Sequence, residues 1–183
     1  MKSCLRAAFD ISAAPCHIYC YEVKDMWNKI KPYVISVAIA LAVGGLSALL
    51  TAGSMDLYSQ IIQPPLAPPS FLFPVVWTVL YILMGISSAM IYLEKDNNPK
   101  EVSRGLIVYA VNLFLNFFWS IIFFNMQAFL FSFIWLVLLW ITVMIMIISF
   151  YRINPIAGLI QIPYLIWLTF AGYLNLAIYI LNR

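Results

Sequence analysis

Long apolar blocks separated by short polar or proline-rich connections make up most of this chain. The longest block lies between Arg104 and Arg152 and contains no Asp, Glu, Lys or Arg. At about 1.5 Å per residue, one helix of that length would far exceed a bilayer about 30 Å thick. The block must therefore fold back on itself, and the polar sequence Asn125-Met126-Gln127 is the place for the turn. Two membrane-spanning helices result.

The same length test predicts three further spans, each with about the 20 residues that a crossing needs. The five predicted helices are Pro32–Thr51, Pro74–Tyr92, Arg104–Phe124, Ala128–Tyr151 and Pro155–Leu181. Proline opens the first, second and fifth of them, where its missing amide donor carries no penalty. The alternating pattern of a membrane β-strand is absent. We therefore predict an all-α integral membrane protein, a single five-helix bundle that occupies residues 26–183.

Composition agrees with this class, since 64% of the residues are hydrophobic and 9% are charged. Soluble domains carry about a quarter charged residues.

The ten basic residues collect mostly on one side of the predicted bundle. Before the first helix and in the second and fourth connections lie Lys2, Arg6, Lys24, Lys29, Lys31, Lys95, Lys100, Arg104 and Arg152. The positive-inside rule then predicts a cytoplasmic amino terminus and an external carboxyl terminus. The net charge of +3 reflects this topology, and no basic patch indicates nucleic-acid binding.

The first connection is rich in proline, with pairs at Pro64-Pro65 and Pro68-Pro69 followed by Pro74. Proline removes backbone donors and holds the chain extended, so this stretch cannot cross a bilayer. We expect a stiff strap at the external membrane edge that acts as a lid over the bundle.

The first 25 residues differ in composition from the rest and lack the apolar core of a signal peptide. We predict that residues 1–25 form a loose extension, and that Met26 is the natural start. Cys16, His17 and Cys20 offer three soft ligands within five residues. A structural zinc site needs a fourth, so we predict no metal site.

The predicted spans have no ionisable residue in their interiors, where charge would mark a proton or ion pathway. No catalytic triad, paired carboxylates, HExxH or phosphate loop is present. Conventional acid-base or nucleophilic catalysis is therefore not expected.

Without ionisable groups in the spans, aromatic and amide side chains are the candidates for binding a ligand. Trp77 and Trp119 fit either an interfacial belt or a ligand cavity, whereas Trp167 lies mid-helix, where a belt role fits poorly. Asn112 and Asn116 share one helix face. Hydrogen bonding between helices is the default reading for these amides and for Asn175, with Asn116 in a cavity as the alternative.

Small residues at intervals of four predict close helix packing, at Ala40, Gly44 and Ala48 and again at Gly85 and Ala89. Either a contact within the chain or a homodimer would satisfy them.

Several of these segments together resemble the translocator protein family, which is also called the tryptophan-rich sensory protein or peripheral-type benzodiazepine receptor family. The resemblance is to a bacterial member of this family. The resemblance runs in unbroken order over residues 31–183. It is carried by Tyr58 with Ile61, the strap Pro64–Pro69, Pro74–Gly85, Leu115–Ser120, Pro163–Trp167 and Phe170–Asn175.

The resemblance implies a five-helix bundle whose cavity opens toward the first loop and binds protoporphyrin IX or haem as ligand, with no required cofactor. Matching lid or cavity-mouth positions are Tyr58, Pro68 and Phe73. Matching wall positions are Trp77, Tyr81, Asn116, Trp119, Trp167, Ala171 and Leu174. The chain departs from the family at Leu57, Leu66 and Phe71, where tryptophan is usual, so its lid is less aromatic.

The leading interpretation is a membrane receptor or sensor of tetrapyrroles and related planar apolar molecules, surrounded by membrane lipid. One alternative is light- and oxygen-dependent porphyrin degradation, in which Trp77 and Trp167 would be the catalytic residues. The other is a porphyrin or small-molecule permease, against which the lack of inverted repeats and intramembrane charge argues.

Overall fold

The computed structural model describes the backbone of residues 14–54 and 60–183, and side chains from residue 26 onward within those ranges. Regular structure in these ranges is entirely helical. The helices are α1 (Ala14–Thr51), α2 (Leu72–Leu93), α3 (Pro99–Ser120), α4 (Phe129–Ile153), α5 (Pro155–Leu159) and α6 (Ile162–Leu181). A short 3-10 turn, Ala52–Ser54, follows α1, and a wide π-helical turn, Ile121–Asn125, extends α3.

Five helical segments of the described chain are long and apolar enough to cross a membrane, which confirms the predicted number of spans. The fifth consists of α5 and α6 together. The turn predicted within the long uncharged block is also confirmed. Helical structure stops at Asn125, Gln127 takes a left-handed conformation with φ of 51°, and α4 begins at Phe129.

The prediction that Pro32 opens the first helix is wrong. The helix begins at Ala14, so Pro32 lies inside it and the segment 14–25, expected to be loose, is helical. Residues 1–13 lie outside the described part of the chain. An internal proline removes one backbone hydrogen bond, and membrane-associated helices tolerate this where water or neighbouring groups satisfy the freed carbonyl.

Two other helix ends differ from prediction. The third helix begins at Pro99, before the predicted Arg104, because a helix can extend past the membrane edge with charged residues on its surface. Arg104 there pairs with Glu101 at 2.9 Å. The fifth span is interrupted at Ile160–Gln161. Pro163 cannot donate to a carbonyl one turn earlier, so the helix ends and restarts with Pro163 in its first turn.

Glycine brings α1 and α2 into close contact. A Cβ added to Gly85 would lie 2.5 Å from the Val37 Cα, and one added to Gly44 would overlap the Tyr81 ring. Ala40 is fully buried in the same contact region. The predicted small-residue stripe therefore forms a contact within the chain.

The main core of the bundle lies between α2 and the helices that pack together elsewhere in the fold. These are α4 and its neighbours α3, α5 and α6.

Candidate functional site

A cavity of about 130 Å³ lies at the end of the bundle nearest the first loop. Its walls come from the end of α1, the start of α2, the end of α3 with its π turn, and the second half of α6. The lining residues are Gly44, Ser47, Ala48, Thr51, Phe73, Pro74, Trp77, Tyr81, Asn116, Trp119, Ser120, Phe123, Phe124, Ala171, Leu174, Asn175 and Ile178.

Trp77 is the centre of an aromatic group on the cavity wall. Its ring centroid lies 5.9 Å from that of Tyr81, 6.3 Å from that of Trp119 and 6.2 Å from that of Tyr164. Trp119 in turn stacks on Phe123 at 5.5 Å. All of these rings except that of Tyr164 line the cavity, and they come from α2 and from α3 with its π turn, so the tertiary fold assembles a surface suited to flat apolar molecules.

A buried polar network fixes the floor of the cavity. Asn116 Nδ2 donates to the Tyr164 hydroxyl at 2.8 Å, and the Tyr81 hydroxyl donates to Asn116 Oδ1 at 3.2 Å. Asn112 Nδ2 also approaches the Tyr164 hydroxyl, at 3.4 Å. Asn116 thus bonds between helices and also lines the cavity, which combines the two readings that its position left open.

Asn175 joins α6 to α4 beside the same cavity. Its amide lies 3.1 Å from the Ser132 hydroxyl. With its oxygen directed at the Trp119 indole, it accepts from Trp119 Nε1 at 3.3 Å and donates to the Phe129 carbonyl at 2.9 Å. This orientation pairs each amide atom with a complementary group, as buried amides require. The bond holds the Trp119 ring in place on the wall.

The first loop packs against the cavity end of the bundle and is tied to α6 and to Asn182, which follows it. Ile62 exchanges two hydrogen bonds with the Asn182 side chain, at 2.8 and 3.0 Å, and the Tyr173 hydroxyl donates to the Pro65 carbonyl at 2.9 Å. Ile61 and Ala67 pack on the cluster that contains Trp119 and Phe123.

A tight turn shapes the middle of this loop. Ala67 N donates to the Pro64 carbonyl at 3.2 Å, and Leu66 takes a φ of 68°. This position of a type II turn favours glycine, so Leu66 is strained. Its side chain is 80% exposed.

Most of the residues predicted for the site meet at the cavity. Those that line it are Phe73, Trp77, Tyr81, Asn116, Trp119, Ala171 and Leu174. Pro68 is buried within the first loop and is not part of the walls. Trp167 does not line the cavity either and contacts Phe73 and Phe170, with ring centroids 6.1 and 5.7 Å away. Tyr58 lies outside the described residues.

Sequence reasoning missed Tyr164, the shared partner of two asparagines. The available signal was the spacing of Asn112 and Asn116, since two amides on one buried face require a polar partner on another helix. It also missed Phe123 and Phe124, whose place on the wall depends on the π turn at the end of α3.

The cavity lining offers aromatic surfaces and hydrogen-bonding groups. None of its lining residues is Asp, Glu, His, Lys, Arg or Cys. Among the described residues there is also no group of three His, Cys, Asp or Glu that could hold a metal ion. The walls offer aromatic faces, two amides and hydroxyls, which can orient a ligand but supply no group that ordinarily exchanges protons near neutral pH.

Comparisons with known proteins agree with the geometry. Residues 36–181 match the model of the TspO/MBR family. The chain is 37% identical over 158 residues to a tryptophan-rich protein TspO of Chlorobaculum tepidum, covering 86% of this chain and 99% of that protein. It is 37% identical to the protein CrtK of Rhodobacter capsulatus, covering 82% and 90%. It is also 33% identical to the translocator protein of Bos taurus, covering 79% and 88%.

Proposed function

The chain belongs to the TspO/MBR family, and from this premise and its aromatic cavity we propose that it is a membrane receptor for planar tetrapyrroles such as protoporphyrin IX and haem. The observation that carries the proposal is the wall to which Trp77, Tyr81 and Trp119 contribute, which places three neighbouring aromatic rings around a space without charged side chains. Aromatic contacts of this kind contribute about 1 kcal/mol each beyond the burial of apolar area.

The size of the cavity requires that the site opens before a ligand enters. Ligand pockets usually enclose about 300 to 1,000 Å³, and this one encloses about 130 Å³. The first loop is the element that can move, because it does not cross the membrane itself. Hydrogen bonds from Ile62 to Asn182 and from Tyr173 to Pro65 hold it to α6 and to the residue after it. We therefore infer a closed state in which the loop is a lid.

Charge determines how a porphyrin would enter. Its propionates are anionic, and the walls contain no cation to pair with them. Burying an unpaired carboxylate is strongly unfavourable. The macrocycle therefore enters with its apolar edge first, against Trp77, and its propionates stay under the first loop near water.

The wall residues also bear on the role of the iron. The usual protein ligands of haem iron are His, Cys, Met and Tyr. Among the wall residues that the structure describes, only Tyr81 is of these types, and its hydroxyl donates to Asn116. We expect the porphyrin ring to supply the binding energy. Metal-free protoporphyrin IX and haem should then bind with similar affinity.

The deciding experiment is a fluorescence titration of purified protein with protoporphyrin IX. The expected result is saturable quenching of tryptophan emission at micromolar porphyrin, with haem giving a similar midpoint. Linear quenching without saturation, equal to that of free tryptophan in the same detergent, would contradict a receptor.

We propose, in line with the distribution of basic residues, that the amino terminus is cytoplasmic and that the first loop and carboxyl terminus are external. In a variant lacking Cys4, Cys16 and Cys20, Ser70→Cys should react with a membrane-impermeant thiol reagent on intact cells and Asn97→Cys should not. The reverse labelling pattern would invert this topology.

Porphyrin degradation under light is the second candidate function. It is favoured by Trp77, whose indole would touch a bound porphyrin and would be oxidised by the light-excited porphyrin or by reactive oxygen formed from it, with no acid or base nearby. A permease is distinguished from a receptor and from a degrading enzyme by the flux of porphyrin across vesicle membranes, measured with and without the protein. Only a permease should increase this flux.

A further inference from the structure

A second groove opens at the other end of the bundle, between α1 and α3, with α2 at its base. It encloses about 540 Å³ and is independent of the aromatic cavity, with which it shares no lining residue. Its lining residues are Asn28, Lys31, Pro32, Ile35, Ser36, Ile39, Ser88, Tyr92, Lys95, Leu106 and Tyr109.

Two of the residues that line this groove carry a positive charge. Lys31 comes from α1 and Lys95 from the connection after α2, and none of the lining residues that the structure describes is Asp or Glu. Lys95 Nζ donates to the Tyr92 hydroxyl at 3.1 Å. Within the described residues neither lysine forms a salt bridge. Of the described acids near Lys95, Glu94 accepts from Asn97, Glu101 pairs with Arg104, and Asp96 is exposed.

A buried polar group faces the same groove. Tyr109 is 8% exposed, and among the described residues its hydroxyl lies near the Ser88 hydroxyl but forms no hydrogen bond of normal geometry. Ser88, beside it on the lining, directs its own hydroxyl to the Gly85 carbonyl at 3.0 Å. Within a bilayer an unpaired hydroxyl is unfavourable, because no bulk water can satisfy it.

The rest of the lining suits a hydrocarbon chain. Ile35 and Ile39 are 46% and 52% exposed on the α1 side, and Leu106 lies on the α3 side. The groove therefore has cations at the membrane edge, an unpaired donor deeper in, and an apolar flank. Basic pockets between membrane helices on the cytoplasmic side recognise acidic lipid headgroups.

We propose that this groove binds one acidic phospholipid. The phosphate lies between Lys31 and Lys95, an ester carbonyl accepts from the Tyr109 hydroxyl, and an acyl chain follows Ile35 and Ile39. A phospholipid fits better than a simple fatty acid because it alone offers both an anionic headgroup and a deeper acceptor. Asp96 lies next to Lys95 in the chain and reduces the local positive potential, so Lys31 and Lys95 must act together.

The test is native mass spectrometry of the full-length protein in neutral detergent, with dioleoyl phosphatidylglycerol as the probe. We expect one tightly retained molecule, and weaker retention of dioleoyl phosphatidylcholine. Replacing both lysines, Lys31→Gln with Lys95→Gln, should weaken retention about 25-fold, since each contributes a factor of about five. Tyr109→Phe should weaken it about fivefold through the lost hydrogen bond.

The matched control is Lys29→Gln with Lys100→Gln, which removes the same charge from the same two regions outside the groove. It should change retention less than about twofold if the effect is local. Equal losses in the two double variants would reduce the effect to general surface charge and overturn the site. Equal retention of dioleoyl phosphatidylglycerol and dioleoyl phosphatidylcholine would also overturn the site.

Two further probes identify the source of the anion. If oleate is retained as well as the phospholipid, or if excess inorganic phosphate displaces the phospholipid, the proposed ligand is wrong. Thermal unfolding of each variant in the same detergent reports whether it is folded. A loss of lipid from a variant that unfolds at the same temperature as the unmodified protein supports the groove as a site. If the lipid proposal fails, the receptor proposal is unaffected, because the two sites share no lining residue.

Discussion

The Phe73 ring meets the Trp167 indole edge-on, with centroids 6.1 Å apart and an interplanar angle of 69°. Phe73 lines the aromatic cavity and Trp167 does not. The two tryptophans that the family resemblance pairs therefore have different surroundings, because Trp77 lies on the wall itself. This difference makes their roles separable by experiment.

Replacing Trp77 should reduce porphyrin quenching more than replacing Trp167. In Trp77→Phe we expect the affinity for protoporphyrin IX to fall about fivefold, since one indole contact is worth about 1 kcal/mol. Trp167→Phe should change it less than about twofold, because its ring acts through Phe73. Fluorescence titration measures both. Equal losses would mean that the ligand reaches Trp167 in the open state.

The same pair tests the degradation hypothesis. If a photo-oxidised indole is required, Trp77→Phe should slow the bleaching of bound porphyrin under light more than Trp167→Phe, with both samples at saturating porphyrin. Absorbance decay of the porphyrin band measures the rate. An unchanged rate in the double variant would exclude these residues as reactants.

Asn116 should matter more for stability than Asn112. Asn116→Ala leaves the Tyr81 hydroxyl without its acceptor and removes the shorter bond to Tyr164, so we expect a loss of about 2 to 3 kcal/mol. Asn112→Ala removes only contacts of 3.4 and 3.5 Å and should cost about 1 kcal/mol. Thermal unfolding in detergent compares them, and the opposite ranking would contradict this network.

Gly85 and Gly45 form a matched pair for the contact between α1 and α2. Gly85→Ala would place a methyl 2.5 Å from Val37 Cα, so the helices must separate and we expect a clear fall in melting temperature. Gly45 has open space around it. Gly45→Ala should therefore raise stability by up to about 1 kcal/mol through helix propensity. Tolerance of Gly85→Ala would show that this contact is loose.

Filling the cavity should block the ligand. Ala171 is 7% exposed and lines the wall, so Ala171→Phe adds a ring where a porphyrin edge would lie. We expect a loss of saturable quenching. Ala110→Phe, on the exposed side of α3, is the control and should bind normally. Normal binding by Ala171→Phe would move the site elsewhere.

Loosening the first loop should speed ligand exchange. Tyr173→Phe with Asn182→Ala removes three hydrogen bonds to Ile62 and Pro65, each worth about 1 kcal/mol. The dissociation rate of protoporphyrin IX, followed by stopped-flow recovery of emission, should rise at least about tenfold. Thr169→Ala on the exposed face of α6 controls for general effects, although it removes a bond to Trp140. An unchanged rate would argue against a lid.

Much of the fold was predictable because a bilayer imposes simple rules. Every backbone polar group must be paired within it, so an apolar block of sufficient length forms a helix. The number of spans and the turn near Gln127 followed from this rule. Helix ends were harder, since Pro32 and Pro99 lie at the membrane edge, where water also satisfies the backbone.

The candidate site was predictable in part. The family resemblance named seven residues that line the cavity, but nothing local distinguishes Trp167 from them. Its exclusion depends on the rotation of α6 and on the position of Phe73. Tyr164 was missed for the same reason, because its role comes from partners 48 and 52 positions away in the chain.

The sequence by itself determined that this protein crosses a membrane with five helices and that the interiors of the predicted spans hold no charged residue. Both follow from hydropathy and residue type, which act locally. The tertiary structure alone decided which rings share a cavity, how small that cavity is, and that Lys31, Lys95 and Tyr109 face one groove. These depend on helix rotation and close packing at Gly44 and Gly85, which arise from contacts between distant segments.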